Sequence, residues 1–498
     1  MKRRVLSVFV CVVAALTAAH SGDTQPVNTT QLMAWLIAGV SSNRLTRLVQ
    51  QRGISAATAE ELRQLQNAGA DTDLIRTLSA MNRTFSDEPG NKLADKSFAS
   101  NQPHEIRAEL VQAAAEARQL HYHDAERDLR RALSADPGNA ALHFALGAML
   151  RQQQRWDDAF DEITQSARLM PDFPENHSSL AYVFYRLDDG PNAIAEARTA
   201  LSMDPQNADA YQDLGLGLYS NGQYLAAAHA YAESLARSPE NPDTYYDMGV
   251  TLHAAGNLPA AVAAYRQALR VSPELWQAHS NLALVLHEEG KLDEAIAEYG
   301  EAKRLAPEEA SIRNNLGNTY CDKGDFDAAI SEMGELYRQH PEWQQGHACL
   351  AQAYMSKKNY GGAVEELQAA VRQNPNGSAE HRVLGQALLL KGNSEEAIRE
   401  LRLAVSLNPD SDVSHHSLGT ALLQQQLSQA AEKEFREALR LNASADNHYS
   451  LAACLMTMDR YEEALSELEN AARLDPQRAL YRARHEELLK LIKGTASR

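Results

Sequence analysis

The chain has 498 residues, of which 44% are apolar but only 6% aromatic, and it carries a formal charge of −18. That length exceeds what one small core fills, so the chain either divides into domains or grows by repetition. A core of Ala, Leu and Val suits closely packed helices rather than sheets, and an acidic surface without any Lys/Arg run excludes nucleic acid as a partner.

Residues 1–19 read as a signal peptide: a basic start at Lys2-Arg3-Arg4, an apolar stretch from Val5 to Leu16, then small residues with Ala19 or Ser21 before the cleavage point. The apolar run is too short to span a bilayer comfortably, so no integral span is expected after cleavage. Cys11 follows Val10, where a lipoprotein signal wants a small residue. The expected location is periplasmic or secreted. Cys321, Cys349 and Cys454 then remain, an odd number scattered through helical sequence, which reads as three small buried hydrophobes rather than a disulfide framework.

Residues 28–80 hold an internal duplication. Leu32, Trp35, Ala38-Gly39, Leu45 and Leu48 return thirty residues later as Leu62, Leu65, Ala68-Gly69, Ile75 and Leu78. Each copy predicts a helix, a glycine turn and a second helix, forming a small helical domain to which no chemistry attaches. It resembles the compact helical modules that accompany repeat arrays in some bacterial envelope proteins. Residues 86–104 turn polar, with Pro89-Gly90-Asn91 and Pro103, and read as a linker.

Beyond the linker, prolines stand at 137, 171, 205, 239, 273, 307, 341, 375 and 409, a constant interval throughout, and Pro476 closes the series. Eleven units fit between residues 106 and 476. Each has Ala at its nineteenth place, from Ala125 through Ala295 to Ala464. Twelve residues earlier each has Gly or Ala, from Ala113 through Gly147, Gly215 and Gly249 to Ala452. Two helices of a unit that cross closely leave no room for more than a methyl there. The first unit departs with Gln112 where the others place Leu or Met, as suits a terminal repeat. Residues 479–493 read as an amphipathic capping helix with Leu480, Leu488, Leu491 and Ile492 inward.

This period and these small-residue places resemble the tetratricopeptide repeat family. The resemblance implies an all-α fold, an α-solenoid wound as a right-handed superhelix of helix pairs, with the first helix of each pair lining a concave face. It also implies protein or peptide partners held on that face. Inward places read off the first helices are Tyr182, Tyr185, Tyr219, Tyr246, His253 and His287. A second row is Asp213, Asp247, Asn281 and Asn315, with Asn318 nearby. Half-wet aromatic rings anchor peptide, and amides both donate to and accept from an extended backbone. The run around Asn281 and Asn315 is similar to the asparagine-lined repeats attached to O-linked N-acetylglucosamine transferases. Asp213, Asp247, Cys349 and Val383 depart from that ladder, and no transferase domain accompanies it. The lysine clamp of chaperone-binding relatives is not reproduced.

No phosphate-cradling loop, His-Glu-x-x-His, nucleophile elbow or Cys-x-x-Cys pair occurs, so neither an enzyme nor a cofactor is expected. His143, His177, His279, His347, His381, His415 and His448 share one place, three residues into their units. Equivalent helices lie ~8–10 Å apart or more while Zn–N bonds are ~2.0–2.1 Å, so no metal site is assigned. Each of these histidines reads as an amphipathic filler between its unit and the preceding one. The expected function is a protein-interaction scaffold of the cell envelope. Alternatives are a substrate-recruiting subunit for an envelope enzyme on another chain, or a cytoplasmic regulator if residues 1–19 are not a signal.

Overall fold

The computed structural model describes residues 26–55, 57–86 and 104–495. The expected signal segment 1–19 and nearly all of the expected linker 86–104 lie outside these. Among the described residues there are 27 helices and a single isolated bridge, Val27 to Ile54. None of the helices is long and apolar enough to cross a membrane. The described residues form two compact bodies, divided between Pro273 and Glu274.

The first body opens with α1 (Thr29–Ile37), α2 (Ser42–Arg52), α3 (Ala59–Asn67) and α4 (Thr72–Ser86). Two capping boxes start this group, Asn28 with Gln31 and Thr58 with Glu61. Five hairpins follow: α5 (His104–Arg118) with α6 (Tyr122–Ala135), α7 (Ala140–Gln152) with α8 (Trp156–Leu169), α9 (Pro174–Arg186) with α10 (Gly190–Met203), α11 (Ala208–Ser220) with α12 (Tyr224–Arg237), and α13 (Pro242–Ala254) with α14 (Leu258–Val271).

The second body holds six more hairpins: α15 (Trp276–Glu288) with α16 (Leu292–Leu305), α17 (Ala310–Lys323) with α18 (Phe326–Gln339), α19 (His347–Ser356) with α20 (Tyr360–Gln373), α21 (Ser378–Lys391) with α22 (Ser394–Leu407), α23 (Asp412–Gln424) with α24 (Ser428–Leu441), and α25 (Ala445–Met456) with α26 (Tyr461–Leu474). A last helix, α27 (Ala479–Thr495), packs on α26. The fold is all-α, an α-solenoid of paired helices.

The small places explain the hairpin. A methyl added at Gly215 would lie 2.5 Å from the Tyr231 ring, and at Gly249 2.6 Å from the Tyr265 ring. At Gly147, Gly317, Gly385 and Gly419 it would meet Ile163, Met333, Leu401 and Phe435 at 2.5–2.8 Å. The opposing side chain thus fills the space of the missing methyl, sixteen residues on. The turn between the two helices always passes through a left-handed residue. Gly222, Gly256, Gly290, Gly324 and Gly392 supply it in five hairpins, and Leu120, Gln154, Asp188, Lys358, Gln426 and Asp459 in the other six.

The N-terminal helices are not a detached domain. α1 lies on α5 and α7, the first helices of two hairpins, and all share one core with them. Trp35 is fully buried and stacks on Phe173 at 4.8 Å, and Phe144 meets Phe173 edge-on at 5.5 Å. Arg44 reaches Glu175 at 2.7 Å, Asn207 at 2.6 Å and Asp209 at 3.0 Å, while Arg52 pairs with Asp172 at 2.6 Å. On the other side Arg107 meets Glu61 at 2.8 Å.

Two sequence readings need correction. Cys321 and Cys349 are joined as a disulfide, and of the three thiols only Cys454 is free and buried. An odd count of cysteines leaves one over but does not prevent two from pairing. The inward face of α27 is Tyr481 and Leu488, each 1% exposed, with Ile492 packed beside them; Leu480 and Leu491 face water. The helix is rotated because Tyr481 carries a hydroxyl that donates to Asp446 at 2.5 Å, a partner the apolar pattern does not register.

Ala295 and Gly249 test the crossing. Ala295→Leu and Gly249→Ala should each lower the stability by about 1–3 kcal/mol, read as a shift of the urea midpoint. Unchanged midpoints would mean that the helices do not meet at these places.

Candidate functional site

The first helices of the third, fourth and fifth hairpins, α9, α11 and α13, present equivalent residues once per repeat. One row reads Ser179, Asp213 and Asp247, and another Tyr185, Tyr219 and His253. The residues between these rows bury the core, so the rows fall on one face of each helix.

Tyr182, Tyr185 and Tyr219 are half-buried and pack onto a common cluster with Leu216 and Tyr231. Tyr182 lies 6.2 Å from both Tyr185 and Trp156. The guanidinium of Arg151 covers its ring at 4.5 Å and donates to Ser179 at 3.0 Å; Arg186 lies 4.2 Å over Trp156. This alternation of cations and rings fixes the tyrosine faces in place.

Beside the rings are two carboxylates. Asp213 is 8% exposed and accepts from the hydroxyl of Ser178. Asp247 is half-buried and accepts from Gln212 Nε2 at 2.9 Å, and Gln212 in turn accepts from Asn241. Burial pushes both carboxyls up to about 7, against the hydrogen bonds from Ser178 and Gln212. Arg151 also pulls Asp213 down, whereas Asp247 feels a further carboxylate, Asp243. Burial, with Asp247 close by, raises the Tyr185 hydroxyl as well.

The N-terminal helices add a wall. A cavity of about 260 Å³ lies between the α1–α2 turn and the hairpins, lined by Arg44, Arg151, Glu175, Tyr182, Asp209 and Asp213 among others. Nothing in the repeat period points to Arg44, whose partners belong to hairpins far along the chain, whereas Arg151 is the second hairpin's member of the row of Tyr185 and Tyr219.

The structure therefore gathers Tyr182, Tyr185, Asp213, Tyr219 and Asp247 into one patch. Tyr246, also on α13, turns toward its own hairpin and meets Tyr265 at 6.0 Å, and His253 is half-buried near the end of that helix. The remaining expected residues belong to the second body. There His287 on α15 is held by Asp322 at 2.8 Å and Thr319 at 3.3 Å. Asn315 on α17 accepts from Asn314 at 3.1 Å, and Asn281 and Asn318 are half-buried. In the repeat register Cys321 occupies the place of Tyr185, Tyr219 and His287, and Cys349 that of Asp213, Asp247 and Asn315. Within the second body the disulfide thus stands where the row of Asn281 and Asn315 would otherwise continue.

The seven histidines at the shared place do more than fill the space beside the preceding unit, whose closing proline carbonyl four of them do reach. Each sits in its own hairpin with Nδ1 2.5–2.7 Å from a glutamate of the second helix.

The tetratricopeptide repeat family model matches residues 110–174, 178–242, 213–270, 246–310, 314–378, 348–412 and 416–479. These stretches cover well over half of the chain, which belongs to the tetratricopeptide repeat family. Among solved structures it is similar to PilF of Pseudomonas aeruginosa (20% identity over 44% of this chain and 98% of that one, TM-score 0.39). It is also similar to YrrB, described as a tetratricopeptide protein with an unusual peptide-binding site (21% identity, 39% and 97%, TM-score 0.33). A third similar structure is yeast Tom70 (14% identity, 79% and 96%, TM-score 0.32).

Asp247 gives a pH signature. Its carboxyl is protonated more readily folded, at about 7, than unfolded, near ~3.9. Its contribution to stability is therefore present below about pH 4 and lost as the pH rises through about 7. Asp247→Asn should raise the urea midpoint at pH 8 and leave it nearly unchanged at pH 4. An equal effect at both values would contradict the burial of this carboxylate.

Proposed function

We propose that this chain is an exported protein-interaction scaffold whose first-helix face over α9, α11 and α13 takes a segment of a partner protein. The observation that carries this reading is the patch itself: three half-buried tyrosines around two carboxylates, one of which, Asp247, is met by the Gln212 amide and a further carboxylate rather than by a cation. An extended or helical segment bearing Lys or Arg matches it. The rings take up the apolar stem of such a side chain, and the carboxylate takes its charge. Family membership supports a protein partner, and the absence of catalytic motifs agrees with a binding role.

The Cys321–Cys349 disulfide supports an oxidising compartment, periplasmic or extracellular, and so does the expected signal segment. Both speak against the cytoplasmic regulator. An enzyme on another chain remains one kind of partner, with the scaffold delivering substrate to it.

Two measurements test this. In affinity capture from the native host, Tyr185→Ala, Tyr219→Ala and Asp247→Asn together should reduce partner recovery at least several-fold while the circular dichroism stays helical. Undiminished recovery would place the contact elsewhere, and stoichiometric co-elution of an enzyme would specify the partner. Separately, thiol labelling of the unreduced, denatured protein should modify Cys454 but neither Cys321 nor Cys349. Removing the bridge by Cys321→Ala with Cys349→Ala should cost about 2–4 kcal/mol. Full labelling of all three in protein taken directly from cells would argue for a reducing compartment.

A further inference from the structure

The place three residues into each hairpin is coupled to the residue nineteen further on. Where it holds His143, His177, His279, His347, His381, His415 or His448, the partner is Glu162, Glu196, Glu298, Glu366, Glu400, Glu434 or Glu467. In the seventh hairpin Arg313 takes the place and Glu332 still answers it, at 3.1 Å. In the fourth and fifth hairpins the place holds Tyr211 and Tyr245, and the partner positions are Ala230 and Ala264. In these ten hairpins the glutamate is present where the place holds His or Arg and absent where it holds Tyr; the first hairpin departs, with Glu109 at the place and Asp128 opposite, both near Arg131.

The geometry counts the protons. The histidine side chains are 2–16% exposed, so protein groups supply most of their surroundings. In four of them Nε2 also faces an acceptor, the carbonyl oxygen of the proline that ends the preceding hairpin. Those contacts are His143 to Pro137 at 3.1 Å, His177 to Pro171 at 3.4 Å, His381 to Pro375 at 2.9 Å and His415 to Pro409 at 3.0 Å. A neutral imidazole donates from one nitrogen only. Both bonds exist together only if the ring is doubly protonated or the glutamate carries the extra proton. In either case the folded pair holds one proton more than a neutral histidine beside a carboxylate.

We propose that these histidine–glutamate pairs are proton-binding rungs, which tie both helices of a hairpin to the preceding turn in mildly acidic surroundings and release that tie as the pH rises past neutral. The direction follows from linkage. For His143 burial opposes the charge, but the bonds to Glu162 and the Pro137 carbonyl outweigh it and hold the ring above the usual histidine range. An unfolded histidine loses its proton near ~6.5, so stabilisation by the His143 rung is complete below about that pH and is lost as the pH rises through the ring's higher folded value. Other groups stand near individual rungs. Glu437 adds a second carboxylate near His415, the Tyr337 hydroxyl stands 3.2 Å from His347 Nδ1, and Lys303 shares Glu332 with Arg313 at 2.6 Å.

The chain supplies its own controls. His381→Arg with His415→Arg copies the Arg313 rung and makes the charge permanent. His381→Tyr/Glu400→Ala with His415→Tyr/Glu434→Ala copies the tyrosine hairpins and removes it. Melting of the full chain, followed by circular dichroism from pH 5.5 to 8.5, should show a midpoint that falls with pH in the parent. Both variants should show a shallower fall. In the parent at pH 6.5, nitrogen NMR should find protons on both ring nitrogens of His143, or one proton with a second shared to Glu162. Parallel pH profiles in all three proteins, or a singly protonated ring with an ionised glutamate, would overturn the proposal. The NMR reading decides it even if a variant fails to fold.

Discussion

The close crossing of two helices at a glycine or alanine is the constraint on which the molecule rests. With no side chain beyond a methyl on the first helix, the second can set a tyrosine, leucine or phenylalanine into the gap, as Tyr231 does over Gly215 and Phe435 over Gly419. That contact fixes the angle within a hairpin. It thereby decides which places of the first helix enter the hairpin core and which form the rows on the first-helix face. The tyrosine and carboxylate rows on α9, α11 and α13 are lined up because each hairpin repeats the same crossing. The histidine rungs depend on it too, since they span the two helices whose separation it sets.

The hairpins were legible in the sequence because they are local. Evenly spaced prolines and two small places per unit state where helices stop and where they meet, and both are consequences of short-range sterics. The inward rows were legible for the same reason, and Tyr182, Tyr185, Asp213, Tyr219 and Asp247 do come together. Contacts between distant parts of the chain were not. Trp35 on Phe173 and Arg44 on Asn207 each join an N-terminal helix to a hairpin several units further along, and no period links them. The pairing of Cys321 with Cys349 could have been found from register rather than parity, because both fall on the rows of Tyr185 and Asp213, on the first helices of adjoining hairpins. The glutamates facing the histidines were equally visible in the spacing but lie on the other helix of the pair.

The N-terminal helices change the meaning of the face they cover. The first helices of the first two hairpins are occupied by α1, so the first-helix face left uncovered by it in this body is that of the third to fifth hairpins, next to the α1–α2 turn and Arg44. The same packing buries the end that a solenoid otherwise leaves unpaired. A terminal repeat with a polar place at Gln112 is thus compatible with a continuous core.

A stack of hairpins stretches by opening the seams between neighbours, each seam yielding in turn like a coil of wire. The bridge from Cys321 on α17 to Cys349 on α19 crosses one such seam with a covalent bond. Under tension that seam cannot part. The load passes to the joints on either side, and the seventh and eighth hairpins move as one inextensible link.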